Sequence, residues 1–379
     1  MAGQIVKKSE NTWLIRIFQG RDAQGKRRYY NKTIHGTKKD AQKWLTAALR
    51  DRDIGIFIEP SRETLNEYLD RWLKTAAKPR LREHTFRSYK EWLERYIREP
   101  LGDRRMGELR APCIQAVYAA MLERGLQPRT IQYTHSILTS ALKQAVKWGI
   151  IARNPCDLVE LPRRKRNEMK AFSPAEAARF LTAAAEDKHG IVFAFALATG
   201  MRVSEYLALQ WKDIDLQKGA ATVQRALVWK SGGGWYFAEP KTPKSRRTVP
   251  LPPSLVGQLA AHRRAQAEHR LKLGCRYENH DLVFATDKGT PIYHRHLFRR
   301  HFLKVLERAG LNGYRVYDLR HSCATLLLAT GENPKVVSER LGHSSIVMTL
   351  DIYSHVLPDM QQAATEKLEA LLFRQASTR

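Results

Sequence analysis

A phenol, two guanidiniums, an ammonium and an imidazole recur in four separated stretches of the chain's second half. "ATGMRVSEYLALQW" carries Arg202 just past Gly200, with Glu205 one turn on, and "EPKTPKSRRTVPL" carries Lys241 in a turn between strand-like pieces. "YDLRHSCATLLLATG" carries Tyr317 and Arg320, and "LGHSSIVMTLDIYSHV" carries His343 at a glycine turn and Tyr353 ten residues later. These residue types suit attack on a phosphodiester. A phenol, with a pKa near 10, is ionised in only about one molecule in a thousand at neutral pH. It becomes a nucleophile where a base or the reacting oxyanion takes its proton. The pentacoordinate transition state carries roughly two negative charges on its non-bridging oxygens, and two guanidiniums can hold these bidentately. Each such donor is worth about 3 kcal/mol by analogy with oxyanion donors. Lys241 can protonate the departing 5′ oxygen, and His343 can donate to the phosphate or assist proton transfer. The scheme needs no metal, and no acidic cluster in the sequence would hold Mg²⁺.

Taken singly, each residue has an ordinary reading. Arg202 alone is a surface arginine, and Lys241 one charge of many on a solvated hairpin, with Lys244 its competitor for the acid role. Glu205 is an orienter of Arg202 or a plain helix-surface charge. His321 is as readily structural as functional, and Tyr317 is a rival nucleophile on chemistry alone. His294 and His296, in "YHRHLFRRHFLKVLERAG", have the residue types of a metal pair, but a basic helix lying against DNA explains the run better. Joint occurrence favours the catalytic reading.

The bulk properties point the same way. The 379 residues include 65 Lys+Arg against 38 Asp+Glu, a formal charge of +27. Such an excess repels itself unless a polyanion neutralises it. The longest uncharged apolar run, "GIVFAFALATGM", is too short to cross a bilayer, and "MAGQIVKKSENTW" has no signal-peptide core, which leaves nucleic acid as the partner and the cytoplasm as the compartment. Four cysteines, dozens of residues apart and without a C-x-x-C, argue against a zinc ribbon or a secreted disulfide scaffold. No G-x-x-x-x-G-K-[ST] is present.

The elements that must position these groups are legible in outline, and the length calls for two or three domains. Residues 1–55 alternate in strand fashion ("TWLIRIF", "RRYYNKTI") and then show a helix capped by Thr37, a small basic sheet-plus-helix domain. Residues 61–160 read as a helical bundle: Leu65, Tyr68, Leu69, Trp72 and Leu73 follow i, i+3, i+4 spacing, as do Ile131, Leu138, Ala141, Leu142, Ala145 and Val146. A basic linker at 161–170 follows. The last domain, 171–360, opens with Ser173, Pro174 and Glu176 as a helix start. It continues helical to about Trp211, passes through short strands ("AATVQRALVWK", "GWYFAEP", "RRTVPL"), and reads as helical again from residue 253 almost to the end. A tail, 361–379, contains the amphipathic "QQAATEKLEALLF".

The order Arg, Lys, x-x-Arg, His, Tyr, in the wording quoted above, resembles the tyrosine recombinases, the phage-integrase family, along the whole chain. The resemblance implies a multidomain, mainly α protein: an N-terminal arm-type DNA-binding domain, a helical core-binding (SAM-like) domain, and an α+β catalytic domain of the DNA breaking-rejoining type. It implies an integrase of a phage or integrative mobile element that works without cofactors through a 3′-phosphotyrosyl intermediate. Tyr353 is then the nucleophile, Arg202 and Arg320 the phosphate clamp, Lys241 the general acid, and His343 completes the pocket. The implied partners are double-stranded attachment-site DNA, three further copies in a tetramer built from free monomers, and DNA-bending accessory proteins, with the tail packing on a neighbouring subunit. One position departs from the family: Tyr317 stands three before Arg320, where His is usual. Phenol can donate a hydrogen bond to phosphate but cannot shuttle protons near neutral pH. The competing functions are DNA relaxation of the type IB topoisomerase kind, a non-catalytic DNA-binding relative, and, weakest, a metal-dependent nuclease.

Overall fold

The alternation in "TWLIRIF" buries Ile15 and Ile17 on one face of an antiparallel sheet and leaves the charged residues outside. The structure is a computed structural model that describes residues 3–22, 24–53, 61–164, 169–230, 232–240, 245–353, 365–366, 368–370 and 372–373. The chain divides into two compact units, Met1–Arg166 and Asn167–Arg379.

In the first unit, β1 (Gly3–Ser9), β2 (Thr12–Arg21) and β3 (Arg27–His35) pair in that order, with Ile5 opposite Ile15 and Ile17 opposite Tyr30. Helix α1 (Lys38–Asp53) covers one face through Ala41, Leu45 and Ala48, which share a small core with Ile15, Ile17 and Tyr30. Thr37 caps it: its hydroxyl donates to Asp40 at 2.7 Å and accepts the Asp40 N–H at 3.3 Å.

A second core in the same unit belongs to a helical bundle. Thr64 and Glu67 close a capping box on α2 (Leu65–Trp72), which runs on through a π-helical turn, Leu73–Ala77. Helices α3 (Glu83–Leu93), α4 (Ala111–Glu123) and α5 (Pro128–Lys147) complete the bundle. The spaced apolar residues of α2 and α5 are buried, Val146 only in part, and each large aliphatic side chain among them contributes roughly 2 kcal/mol by leaving water. The Tyr68 hydroxyl among them is satisfied, since it donates to the Ala141 carbonyl at 2.6 Å.

The second unit opens with α6 (Pro174–Ala185), whose Ser173–Glu176 capping box forms as its sequence predicts. Helix α7 (Gly190–Thr199) is apolar nearly all round and lies in the core, with Val192, Phe193, Phe195, Ala196 and Leu197 buried. Short α8 (Val203–Tyr206) follows. Strands β4 (Ile214–Asp215), β5 (Ala220–Val223) and β8 (Arg247–Pro250) form one sheet, and β6 (Ala226–Trp229) with β7 (Trp235–Ala238) a hairpin. After α9 (Pro253–Leu273) the chain is not helical as its pattern suggests. Residues 277–293 are irregular. Within "DLVFA", Leu282, Val283 and Phe284 are buried and non-helical, Leu282 bridges Gln210, and Asp281 (φ 56°) and Gly289 (φ 84°) turn the chain on either side. A short apolar run cannot be told from a helix segment by spacing alone. Helices α10 (Leu303–Arg308), α11 (Asp318–Ala329), α12 (Pro334–Leu341) and α13 (Ile346–Tyr353) complete the unit. Among the described residues no helix is long and apolar enough to cross a membrane.

Candidate active site

Four chain segments meet behind α7. Its last turn closes at Gly200, in the left-handed region at φ 65°. A Cβ there would stand 2.6 Å from a Leu341 methyl and 3.2 Å from the Cys323 sulfur, so both backbone and space demand glycine. The turn delivers Arg202 to the N-cap of α8, three residues before Glu205. The Glu205 carboxylate accepts the Arg202 backbone N–H at 3.1 Å and its Nη1 at 2.6 Å, while Arg202 Nη2 donates to the Gly342 carbonyl at 3.0 Å.

Arg320, in the first turn of α11, is buried. Its Nη1 donates to the Gly200 carbonyl at 2.7 Å, and its Nη2 has no hydrogen-bond partner among the described residues. Burial, aided by the nearby Arg202 charge, lowers its pKa to about 10, which leaves it protonated at neutral pH. An unpaired buried guanidinium nitrogen is costly unless an anion comes to it.

Gly342, at φ 67°, ends α12 and sets His343 in a buried position. The ring Nδ1 bonds the Thr349 hydroxyl at 2.8 Å, and the backbone N–H donates to Ser338 at 3.0 Å. Burial first, then the charges of Arg320 and Arg202, push His343 down to about 4. The imidazole is neutral at pH 7, so Nε2 remains for one further hydrogen bond.

Tyr317 immediately precedes α11, is 46% exposed, and sets its ring edge against His321 with centroids 5.0 Å apart. His321 is itself buried and, chiefly for that reason, lowered to about 4. Tyr317 is close enough for its phenol to act on the Arg320 charge. Tyr353 is the last residue of α13, and its side chain lies outside the described residues. Lys241 and its competitor Lys244 also lie outside the described residues. The structure therefore brings Arg202, Arg320, His343, His321 and Tyr317 together.

Glu205, left between two readings by its sequence, is 3% exposed and accepts from two arginines. The second is Arg247, which the sequence reading passed over. Its Nη2 donates to Glu205 Oε2 at 2.9 Å, its Nε to the Arg340 carbonyl at 2.5 Å and its Nη1 to the Ser245 carbonyl at 3.1 Å. A signal for it exists: alternation around the buried Val249 turns Arg247 to the inner face of β8 and Arg246 outward. Burial raises the Glu205 carboxyl, but the Arg247 and Arg202 charges and hydrogen bonds outweigh it and hold the group ionised. Two guanidiniums thus share one carboxylate, with the buried Arg320 charge beside them, an arrangement suited to receiving an added anion. His294 and His296 instead pack their rings on Tyr293 at 5.1 Å each, and the described residues contain no group of three or more metal-ligating side chains.

Residues 170–360 match the model of the phage integrase family, and residues 64–122 match that of the phage integrase N-terminal SAM-like domain. The chain is 31% identical to a tyrosine recombinase XerC-like protein of Caldanaerobacter subterraneus, over 97% of this chain and 98% of the relative. It is also 31% identical to an integrase of Streptomyces ambofaciens, over 93% and 92% of the two chains. Among solved structures, the Tn1549 transposon integrase in complex with a circular intermediate DNA superposes with a TM-score of 0.69 at 22% identity. That match covers 81% of this chain and 99% of the other. Lambda integrase, solved as a tetramer bound to a Holliday junction, gives a TM-score of 0.56 at 18% identity, over 90% and 94% of the chains. The two structural likenesses speak for the fold; the sequence matches identify the family. The chain belongs to the phage integrase family and is a tyrosine-type site-specific DNA recombinase, an enzyme that cuts and rejoins DNA strands.

Proposed function

We propose that Arg202 and Arg320 clamp the scissile phosphate while the Tyr353 hydroxyl attacks its phosphorus. The new bond is a 3′-phosphotyrosyl ester and the bond broken is that to the 5′ oxygen. Lys241 gives that oxygen its proton, and the phenol's own proton passes to a phosphate oxygen or to the neutral His343. Attack by a 5′-hydroxyl from a second duplex, with Lys241 taking its proton, breaks the phosphotyrosyl bond and rejoins the strands, and the departing Tyr353 oxygen regains its proton from the phosphate oxygen or His343. Tyr317, at the edge of the pocket, donates its O–H to a non-bridging oxygen and takes no part in proton shuttling. The observation that carries this reading is the Arg320 Nη2 atom, buried and charged with no partner among the described residues, beside a neutral imidazole.

The reading extends to the whole chain. Residues 1–55 bind arm-type sites, 61–160 embrace the core site, the linker at 161–170 crosses the phosphate backbone, and 171–360 cut it. Free monomers assemble as a tetramer on two duplexes, as the lambda integrase tetramer does on a Holliday junction. In the tail, Leu368, Leu372 and Phe373 are exposed and offer an apolar face to a neighbouring subunit. The host is a phage or an integrative element, the compartment is the cytoplasm, and DNA-bending proteins assist.

A nicked suicide substrate carrying the attachment core tests the chemistry. The wild type is expected to form a covalent protein–DNA adduct and Tyr353→Phe none; an adduct persisting in the variant refutes the assignment. Affinity for DNA is expected to fall steeply with salt, since many Lys and Arg contacts release counterions. A nearly flat plot of log affinity against log salt contradicts this.

A further inference from the structure

We propose that Arg247 is a positioning residue for strand cleavage, seating Glu205 and the Gly342 turn together so that Arg202 and His343 address the same phosphate. The proposal rests on the active-site reading above. The first observation is that Arg247 spends each of its three nitrogens on the protein. Nη2 goes to Glu205, Nε to the carbonyl of Arg340 and Nη1 to that of Ser245, at 2.9, 2.5 and 3.1 Å. Its side chain is 7% exposed, so it is built in rather than held out toward a ligand.

What it joins is the second observation. Glu205 Oε2 receives both Arg247 Nη2 and the Arg202 backbone N–H, while Oε1 takes Arg202 Nη1. Removing Arg247 leaves a buried carboxylate with Arg202 as its main cation, and the geometry of that pair is no longer fixed from the far side. The Arg340 carbonyl lies two residues before Gly342, whose own carbonyl receives Arg202 Nη2. A Cβ on Gly342 would stand 2.9 Å from Arg247 Nη1, so the turn that presents His343 lies directly on this guanidinium. Arg247 therefore braces two of the four segments of the site, the one before α8 and the one after α12.

The third observation is where Arg247 sits in the chain. It begins β8, six residues after Lys241. The strand β8 is thereby tied to Glu205 and, through it, to Arg202 by a buried ion pair. Arg246, its neighbour in sequence, is outward and exposed against Glu239, and makes none of these links.

The test measures single-turnover cleavage of the suicide substrate by the full-length protein, as a maximal rate and a half-saturating protein concentration. Arg247→Met is expected to bind core DNA within about twofold of wild type and to cleave about 100-fold more slowly at saturation. Arg247→Lys keeps the charge but cannot span Glu205 and the Arg340 carbonyl together, and an intermediate loss of about tenfold is expected. Arg246→Met is expected to cleave like the wild type. The ratio of Arg247→Met to wild-type rate is expected to climb as pH rises from about 5.5 to about 8, because burial then pulls the Glu205 carboxyl toward its neutral form. The charged groups that face this carboxyl among the described residues are Arg202 from the start of α8, Arg247 from β8 and Arg320 from α11. Adding Glu205→Gln to Arg247→Met is expected to flatten that climb. Wild-type cleavage by Arg247→Lys, or a loss that appears only in the half-saturating concentration, overturns the proposal. So does a flat pH ratio in a folded Arg247→Met; if Arg247→Met does not fold, Arg247→Lys decides alone. Failure of the wild type to form any adduct sinks the active-site reading instead, so the two failures are told apart.

Discussion

Two arginine–carboxylate pairs in this chain use the same chemistry to opposite ends. In the helical bundle, Arg71 grips Glu63 with two nitrogens, at 2.9 and 2.6 Å, and lies over the Trp148 ring at 5.1 Å. Its side chain is 45% exposed, so water already solvates both charges and the pair adds little. In the catalytic unit, Arg247 and Glu205 meet at 2.9 Å with 7% and 3% exposure. There the charges have lost their water, and the protein must supply every partner. The first pair decorates a surface and the second dictates a geometry. Burial, not residue type, separates them.

That contrast can be broken at several points, beginning with the largest expected effect. Arg320→Ala is expected to slow adduct formation about 10³-fold, some 4 kcal/mol of transition-state stabilisation, while DNA affinity changes little. A loss below about tenfold would place the clamp elsewhere. Glu205→Gln keeps the shape but halves the hold on Arg202 and Arg247. The expected cost is about 2 kcal/mol in the same assay, and an unchanged rate would reduce Glu205 to packing. Acid should next unsettle the catalytic unit more than the bundle. His189, His321 and His343 are all pushed down to about 4, chiefly by burial. A histidine depressed on folding binds fewer protons folded than unfolded, so stability is complete above about pH 6.5 and drains away as pH falls toward 4. Each histidine should remove roughly 2 kcal/mol by about pH 5. Thermal melts from pH 7 to 5 check this, and a melting temperature flat in pH contradicts it. Smallest of all, Glu63→Gln is expected to cost about 0.5 kcal/mol of stability and to leave cleavage untouched. A larger cost would erase the distinction between the two pairs.

The same contrast explains what the amino-acid sequence could and could not disclose. Arg202, Arg320 and His343 were legible because each sits beside a turn or cap signal: Gly200, the start of α11, Gly342. The bundle was legible because Leu65, Tyr68, Leu69 and Trp72 repeat with the helical period. Arg247 was hidden inside "SRR", where a run of charges reads as a solvated face. Only its strand parity with Val249 distinguishes it from Arg246. Glu205 stayed ambiguous for a related reason, since a carboxylate one turn into a helix looks alike whether a neighbouring strand covers it or water does. The irregular run "DLVFA" looks helical because a short apolar stretch carries no usable period. Each miss is a case in which long-range burial, invisible in local spacing, sets the role.

Arg202 and Arg320, the arginines proposed as the clamp, are anchored on main-chain oxygens of two left-handed glycines, Arg320 on Gly200 and Arg202 on Gly342. A main-chain oxygen is placed by the course of the chain and not by a rotamer. The clamp's footing is thus written in the path of the backbone. A single methyl added at either turn would therefore move the footing itself, since it would stand 2.6 Å from Leu341 at Gly200 and 2.9 Å from Arg247 at Gly342.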